Sequence, residues 1–268
     1  MEKVIGFIGS GNMGQAMIGG IIKSGLVESG NVIVSDLDQK KLEAIEKEYK
    51  TNVTTDSVEL VKKADVIFLA VKPNVYNPVL KQIKDFVGEN KIIISIAPGQ
   101  TLESLEERLG KKVKIVRAMP NTPALVGEGM AAICKNENVS SEDMSLVKQL
   151  FESFGKAEEI SEYVFDSVVG VSGSSPAYVF MFIEALADAA VIGGMARDKA
   201  YKFAAQAVLG SAKMVLETEK HPGELKDMVC SPGGTTIEAV AALEEEGFRY
   251  AVIKCVRECM KKSASMSK

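Results

Sequence analysis

Short apolar runs recur through the first 160 residues. "KVIGFIG" (3–9), "NVIVSD" (31–36), "DVIFLAV" (65–71), "KIIISIA" (91–97) and "VKIVRAMP" (113–120) are each rich in Val, Ile, Leu or Phe. Between them the apolar positions take helical spacing, most plainly over 12–24 and 38–49. Strands apolar on both faces, alternating with helices, predict a parallel sheet covered on both sides. "MAAICK" (130–135) and "AEEISE" (157–162) predict two further short strands, with a helix over 141–154 between them.

From about residue 163 the strand pattern stops. Helical patterns follow over 163–170, 176–193, 198–218, 222–229, 235–246 and 248–262, and the tail "KKSASMSK" is expected to fray. The domain division is therefore expected at 1–162 and 163–268. The segment "PAYVFMFIEALADAAVIG" is apolar on nearly every side, which predicts a buried helix. A helical domain of about 100 residues buries one such helix only with difficulty. A second subunit is expected to cover much of it, giving a homodimer through this domain.

Composition narrows the class. The 268 residues are 46% hydrophobic and 25% charged, as in an ordinary globular protein, and the net charge of −4 argues against nucleic acid or an anionic membrane as partner. Glu184 and Asp188 inside the apolar helix argue against a membrane span. The start "MEKVIGFIGSG" enters a strand without the segments of a signal peptide, so a reducing cytoplasm is the expected location. His221, the only histidine, reads as a surface residue before Pro222, which argues against a Ser-His-Asp triad and a histidine-rich metal site, and no metal is expected. Cys255 and Cys259, four apart, read either as metal ligands on one helix face or as small buried thiols.

The candidate chemistry starts at "GFIGSGNMGQAM". Gly9, Gly11 and Gly14 form G-x-G-x-x-G between a strand and a helix, the context that gives this motif its meaning. Gly9 permits the turn, Gly11 lets backbone approach a pyrophosphate, and Gly14 allows close helix–strand packing. Asp36, at the end of the second strand and about 20 residues further on, suits a hydrogen bond to the ribose 2′-hydroxyl of NAD. It would repel the 2′-phosphate of NADP unless Lys40 and Lys41 compensate. The remaining strand ends, "LAVKP" (69–73), "APG" (97–99) and "PNTP" (120–123), belong to the same rim. Ala70, Val71, Lys72, Ala97, Gly99 and Asn121 thereby border a dinucleotide. Lys72 reads equally as a ligand contact or a solvated lysine. The fold class is thus an α/β Rossmann-type N-terminal domain with a parallel sheet, followed by an all-helical C-terminal dimerisation domain.

Two stretches of the helical part stand out. "GVSGSSPAYVF" (170–180) places serines before Pro176, and "SPGGTTIE" (231–238) places Thr235 and Glu238 at capping-box spacing. Both read as helix caps. They read equally as one pocket, because free amides at a glycine-rich helix start can hold a carboxylate, with the Thr236 hydroxyl near the reacting atom.

Taken in order, "GFIGSGNMG", "FLAVKP", "RAMPNTP", "GVSGSSPAYVF", "HPGELKDMV" and "SPGGTTIEAV" resemble the motifs of pyrroline-5-carboxylate reductases over essentially the whole chain. The resemblance implies hydride transfer from NADPH or NADH to the C=N carbon of 1-pyrroline-5-carboxylate, and a helical domain interleaved in a dimer, often in a ring of dimers. It places Thr236 on the hydroxyl that bonds the substrate ring nitrogen, and Ser231, Gly233, Gly234 and Thr235 on the carboxylate loop. Ser172, Ser174 and Val229 complete the substrate set. It places Ile8, Gly9, Ser10, Gly11, Asn12, Met13, Gly14, Asp36, Ser57, Ala70 to Pro73 and Ala97 on cofactor positions. The chain departs from the family pattern at Pro98, Ser175 and Thr235, and at Asp36 and Ser57 beside the cofactor ribose.

Two competing readings remain. A 3-hydroxyacid dehydrogenase of similar build needs a lysine one turn into the helical domain, and after "SGSSP" none occurs before Lys199. A non-catalytic dinucleotide sensor would need the glycine motif but not "SPGGTT".

Overall fold

The computed structural model describes residues 2–110 and 112–266. Eight strands form one sheet: β1 (Ile5–Ile8), β2 (Val32–Ser35), β3 (Asn52–Thr54), β4 (Val66–Leu69), β5 (Ile92–Ser95), β6 (Lys114–Met119), β7 (Gly129–Lys135) and β8 (Gly155–Glu159), in the order β3-β2-β1-β4-β5-β6-β7-β8. The first six are parallel. The sheet is not parallel throughout: β7 runs antiparallel to β6, and β8 parallel to β7. The short connection from β6 to β7 holds only a helical turn at Thr122–Val126, too little for a crossover, so the chain must reverse.

The helices among these strands are α1 (Asn12–Lys23), α2 (Gln39–Tyr49), α3 (Ser57–Lys63), α4 (Pro73–Ile83), α5 (Leu102–Leu109) and α6 (Ser141–Glu152). They bury both faces of the sheet, which is why its strands carry so few polar residues. On one face Phe7 stacks on Phe68 with ring centroids 4.6 Å apart, and Phe151 of α6 meets Phe68 edge-on at 5.7 Å. On the other, Ile8, Ile67 and Ile93 pack against Leu60, Tyr76 and Leu105. The order 3-2-1-4-5-6 of the parallel strands reverses direction between β1 and β4, and ligands of such sheets bind beyond the strand ends there.

By their internal contacts the described residues form two compact units. One runs through Ser174 and takes in the chain again from Cys259; the other is Ser175–Glu258. In the first unit, α7 (Phe165–Val168) leads into a π-helical segment, Val169–Gly173. Arg117 of β6 is 5% exposed, its guanidinium lies 4.4 Å above the Phe165 ring, and its Nη1 donates to Glu162 Oε1 at 2.9 Å. Cys134 faces the same cluster from β7. Burial, with the negative charge of Glu162, pushes its thiol up to about 12. The folded protein treated with iodoacetamide at mildly alkaline pH is expected to leave Cys134 unmodified, as read by mass spectrometry of its peptide. Modification as fast as in denaturant would contradict this.

The second unit begins with α8 (Ser175–Ile192) and α9 (Arg197–Thr218), which pack through Ala187, Ala200 and Ala204. It continues with α10 (Pro222–Val229), α11 (Thr235–Glu245) and the greater part of α12 (Phe248–Met266). Of α8, Ala187 alone is fully buried within the chain, while Phe180, Met181 and Ile192 are 63%, 69% and 90% exposed. The expected burial of this helix is therefore absent from the single chain. The helical run Glu162–Ile192 is long and apolar enough to cross a membrane by length and composition, and only 6% of its most apolar window is buried.

Three expectations at helix ends are corrected. The tail does not fray at 262: α12 continues to Met266, held by Ser263 Oγ donating to Asp166 Oδ1 at 2.6 Å, while the last two residues lie outside the described ones. The serines before Pro176 do not follow a loop: Ser172 lies within the π-helical segment, Ser174 ends it, and Ser175 is already the first residue of α8. Thr235 and Glu238 form no capping box either. The glycine pair completes the turn, so Gly234 becomes the N-cap and Thr235 is already inside the helix.

Candidate functional site

Gly9 leaves β1 with φ +99°, a conformation that favours glycine, and its N–H donates to Ser35 O at 2.8 Å. A Cβ here would lie 2.7 Å from the Ala70 carbonyl oxygen. Gly11, the N-cap of α1, differs: nothing lies within 4 Å of a Cβ built on it, and no side chain caps the helix. The first-turn amides of α1 thus have no side-chain cap at the positive end of the helix dipole, as anion binding requires. Gly14 closes the motif, where a Cβ would come within 2.7 Å of Gly9 O.

Beside this turn is a cavity of about 400 Å³. It brings together Ile8, Gly9, Ser10, Gly11, Asp36, Ser57, Ala70, Val71 and Lys72 from the ends of β1, β2 and β4 and the start of α3. Asn12 and Met13 lie on the first turn of α1, and Pro73 opens α4, next to the cavity in sequence but not among its lining residues. Pattern reading did not single out Ser35, Leu37, Thr55 or the α4 face of Asn74, Val75, Pro78, Val79 and Gln82, which also line it. The i, i+4 spacing of Asn74, Pro78 and Gln82 was the available signal. An open cradle at Gly11 beside a cavity of this size fits the pyrophosphate and adenosine half of a dinucleotide.

Asp36 is the most constrained polar group there. The Ser10 amide and the Ser10 hydroxyl both donate to its Oδ2, at 2.8 and 2.6 Å, and the Asp38 amide donates to Oδ1 at 3.0 Å. Burial pushes the carboxyl up, but these hydrogen bonds and the charge of Lys41 outweigh it and hold the group below the usual carboxylate range. Ser57 Oγ lies 3.1 Å from Ser35 Oγ.

The other expected rim residues lie elsewhere in the first unit. Ala97 is buried, and Gly99, at φ +75°, lies against the end of α12, where a Cβ would meet Met266 O at 2.6 Å. Asn121 is 8% exposed; its Nδ2 donates to the carbonyl and hydroxyl oxygens of Ser172, both at 3.2 Å, and its Oδ1 accepts from the Met130 amide at 2.8 Å. Ser174 Oγ takes a contact from Cys259 Sγ at 3.2 Å. Both serines sit at the end of the π-helical segment, a feature often found at functional sites.

The second unit holds the remaining candidates. Val229 ends α10 and is 64% exposed, and Ser231 to Gly234 form the turn to α11. Gly234 N–H donates to Ser231 O at 3.0 Å, Gly233 adopts φ +65°, and no side chain caps α11. Thr235 and Thr236 occupy its first turn, beside amides that no side chain satisfies. His221 caps α10, its Nδ1 accepting from the Gly223 amide at 3.0 Å, and so has no part in this turn.

Comparison with known proteins matches both parts. Residues 162–266 match a family model described as pyrroline-5-carboxylate reductase dimerisation, and residues 4–99 one described as NADP oxidoreductase, coenzyme F420-dependent. Pyrroline-5-carboxylate reductase of Escherichia coli (strain K12) is 56% identical over 268 residues, covering 100% of each chain. The structure of Plasmodium falciparum pyrroline carboxylate reductase with NADP bound superposes with TM-score 0.92 at 37% identity, and that of a Coxiella burnetii pyrroline-5-carboxylate reductase with 0.93 at 34%, each covering 100% of both chains. The match to the Escherichia coli protein spans the whole of both chains, and by it the chain belongs to the pyrroline-5-carboxylate reductase family.

Proposed function

We propose that the chain reduces 1-pyrroline-5-carboxylate to L-proline, with NADPH or NADH as reductant. The observation that carries this reading is the full-length match at 56% identity to a reductase of that name. When bound, the dinucleotide supplies the hydride that the imine carbon receives. The glycine turn and the α1 amides hold its phosphates, Asp36 and Ser57 border its ribose, and Ala70 to Pro73 and Ala97 border the rest. Ser231, Gly233, Gly234 and Thr235 offer hydrogen bonds to the substrate carboxylate from the uncapped start of α11. Thr236 accepts a hydrogen bond from the protonated ring nitrogen and fixes which ring atom is presented. Val229, at the end of α10, completes the substrate residues of this unit in the reading.

A protonated cyclic imine is already a good hydride acceptor. The protein therefore needs orientation and exclusion of water more than a strong acid, which suits a Ser231–Thr236 turn that carries neither histidine nor lysine. Residues 1–162 take the dinucleotide role in this reading, and 163–268 bind substrate and dimerise. The exposed apolar face of α8 suits burial against a second copy, and dimers assemble further into a ring. The partners are a small molecule and other copies of this chain, with no nucleic acid or membrane among them. A cytoplasmic location suits the four free cysteines.

The test is loss of nicotinamide absorbance when purified protein meets pyrroline-5-carboxylate with NADPH or NADH. No loss with either sinks the reading. Thr236→Ala is expected to lower kcat/KM by about ten- to a hundredfold, or ~1.4–2.7 kcal/mol, with Thr236→Ser recovering much of it. Unchanged kinetics in a folded Thr236→Ala protein would reduce Thr236 to a helix-start residue.

A further inference from the structure

The end of β2 says more about the reductant than the glycine motif does. A 2′-phosphate needs hydrogen-bond donors and cations where the adenosine ribose lies. Three donors beside Asp36 are already committed. The Ser10 amide, the Ser10 hydroxyl and the Asp38 amide all serve the Asp36 carboxylate. Nearby, the Asp38 side chain is turned to the start of α2, where its Oδ1 accepts from the Lys40 and Lys41 amides at 3.1 and 3.4 Å. The Ser57 hydroxyl shares a hydrogen bond with Ser35 inside the sheet end.

The cations do not reverse this. Lys41 and Lys72 are the lysines that line the cavity. Lys41 is half-exposed, and its Nζ lies 3.9 Å from Asp38 Oδ2. Lys72 stands on another element, between β4 and α4, as the N-cap of α4. The cavity thus meets the Asp36 carboxylate, while the Lys41 ammonium beside it is solvated and already near Asp38. Asp36, ionised and fixed on three sides, keeps lone pairs toward the cavity that a ribose hydroxyl satisfies and a phosphate repels.

We propose that this chain prefers NADH over NADPH, and that Asp36, held by Ser10 and Asp38, sets the preference. The proposal rests on the reading that the cavity holds the adenosine half of a dinucleotide. The test is binding of NADH and of NADPH to the full-length protein without substrate, by fluorescence or calorimetric titration. NADPH is expected to bind at least about tenfold more weakly than NADH, as a like-charge contact demands. Asp36→Asn, nearly the same size, and Asp36→Ser, which removes the carboxyl, are each expected to shrink that ratio to about threefold or less, chiefly by tightening NADPH. Equal affinities in the wild-type chain would overturn the proposal, as would a ratio that neither variant changes or failure of both dinucleotides to bind. Turnover separates this from the parent reading. Selective NADH binding without reduction of pyrroline-5-carboxylate would sink the reductase and leave the preference standing. Equal reduction and equal binding with both would do the reverse.

Discussion

Gly9→Ala is expected to weaken dinucleotide binding at least about a hundredfold, equal to ~2.7 kcal/mol, and to lower stability as well. Two costs combine. At φ +99° an alanine is strained, by about 1–3 kcal/mol. Its Cβ would also stand 2.7 Å from Ala70 O, 2.8 Å from Ala70 C and 2.9 Å from Val71 Cγ1. The first two are backbone atoms at the end of β4, where the Ala70 amide donates to Ile8 O at 2.8 Å. Relief therefore requires β1 and β4 to separate where they floor the cavity. Gly11→Ala is the contrast: with φ −68° and open space around its Cβ it meets no clash, so it should lose only about 0.5–1.5 kcal/mol, the cost of alanine at an N-cap, and a larger loss of binding reports on the ligand. Titration of both variants with NADH, beside thermal unfolding, checks the pair. Wild-type binding and melting in Gly9→Ala would refute the argument.

Such contrasts show which parts of the molecule its sequence makes legible. Strands buried on both faces leave Val/Ile runs, so β1, β2, β4, β5 and β6 and the glycine turn can be found by pattern. β3 has three residues, Asn52–Thr54, none of them fully buried, and it leaves no such run. The helices α3 and α5 span only seven and eight residues, and α4 carries Pro78 inside it, so none offers a long uninterrupted helical run between the strands. The sheet's reversal at β7 depends on how a short connection closes, which apolar runs do not encode.

At the candidate site, residue types are legible and partners are not. That Asp36 ends a strand is readable; that Ser10 holds it by both amide and hydroxyl is a product of the fold. Ser172 and Ser174 read as caps because Pro176 follows them, yet the chain before them is already helical, through α7 and a π-helical turn. The Thr235–Glu238 spacing fits a capping box only if Thr235 precedes the helix. The preceding glycine pair moves the boundary by one residue.

Arg117→Met is the substitution expected to cost most stability without touching the cavity, at about 2–4 kcal/mol. Arg117 Nη1 donates to Glu162 Oε1, and that same oxygen accepts from the Leu102 amide at 2.8 Å. One carboxylate thus ties β6 to the start of α5 and to the helical run that leads to Ser172. Removing one partner of a buried pair typically costs about 3–5 kcal/mol, because the other charge remains buried. Glu162 is 31% exposed on its side chain, so water recovers part of that. The methionine keeps an apolar stem over Phe165 but gives up the cation–π contact, worth about 0.5–2 kcal/mol. For a protein of this size the sum corresponds to a fall in Tm of about 5–12 °C at fixed protein concentration. Adding Glu162→Leu should recover part of the loss, because the unpaired carboxylate is then gone. A fall below about 2 °C in Arg117→Met, or strictly additive losses in the double variant, would show that the pair does not act as a unit.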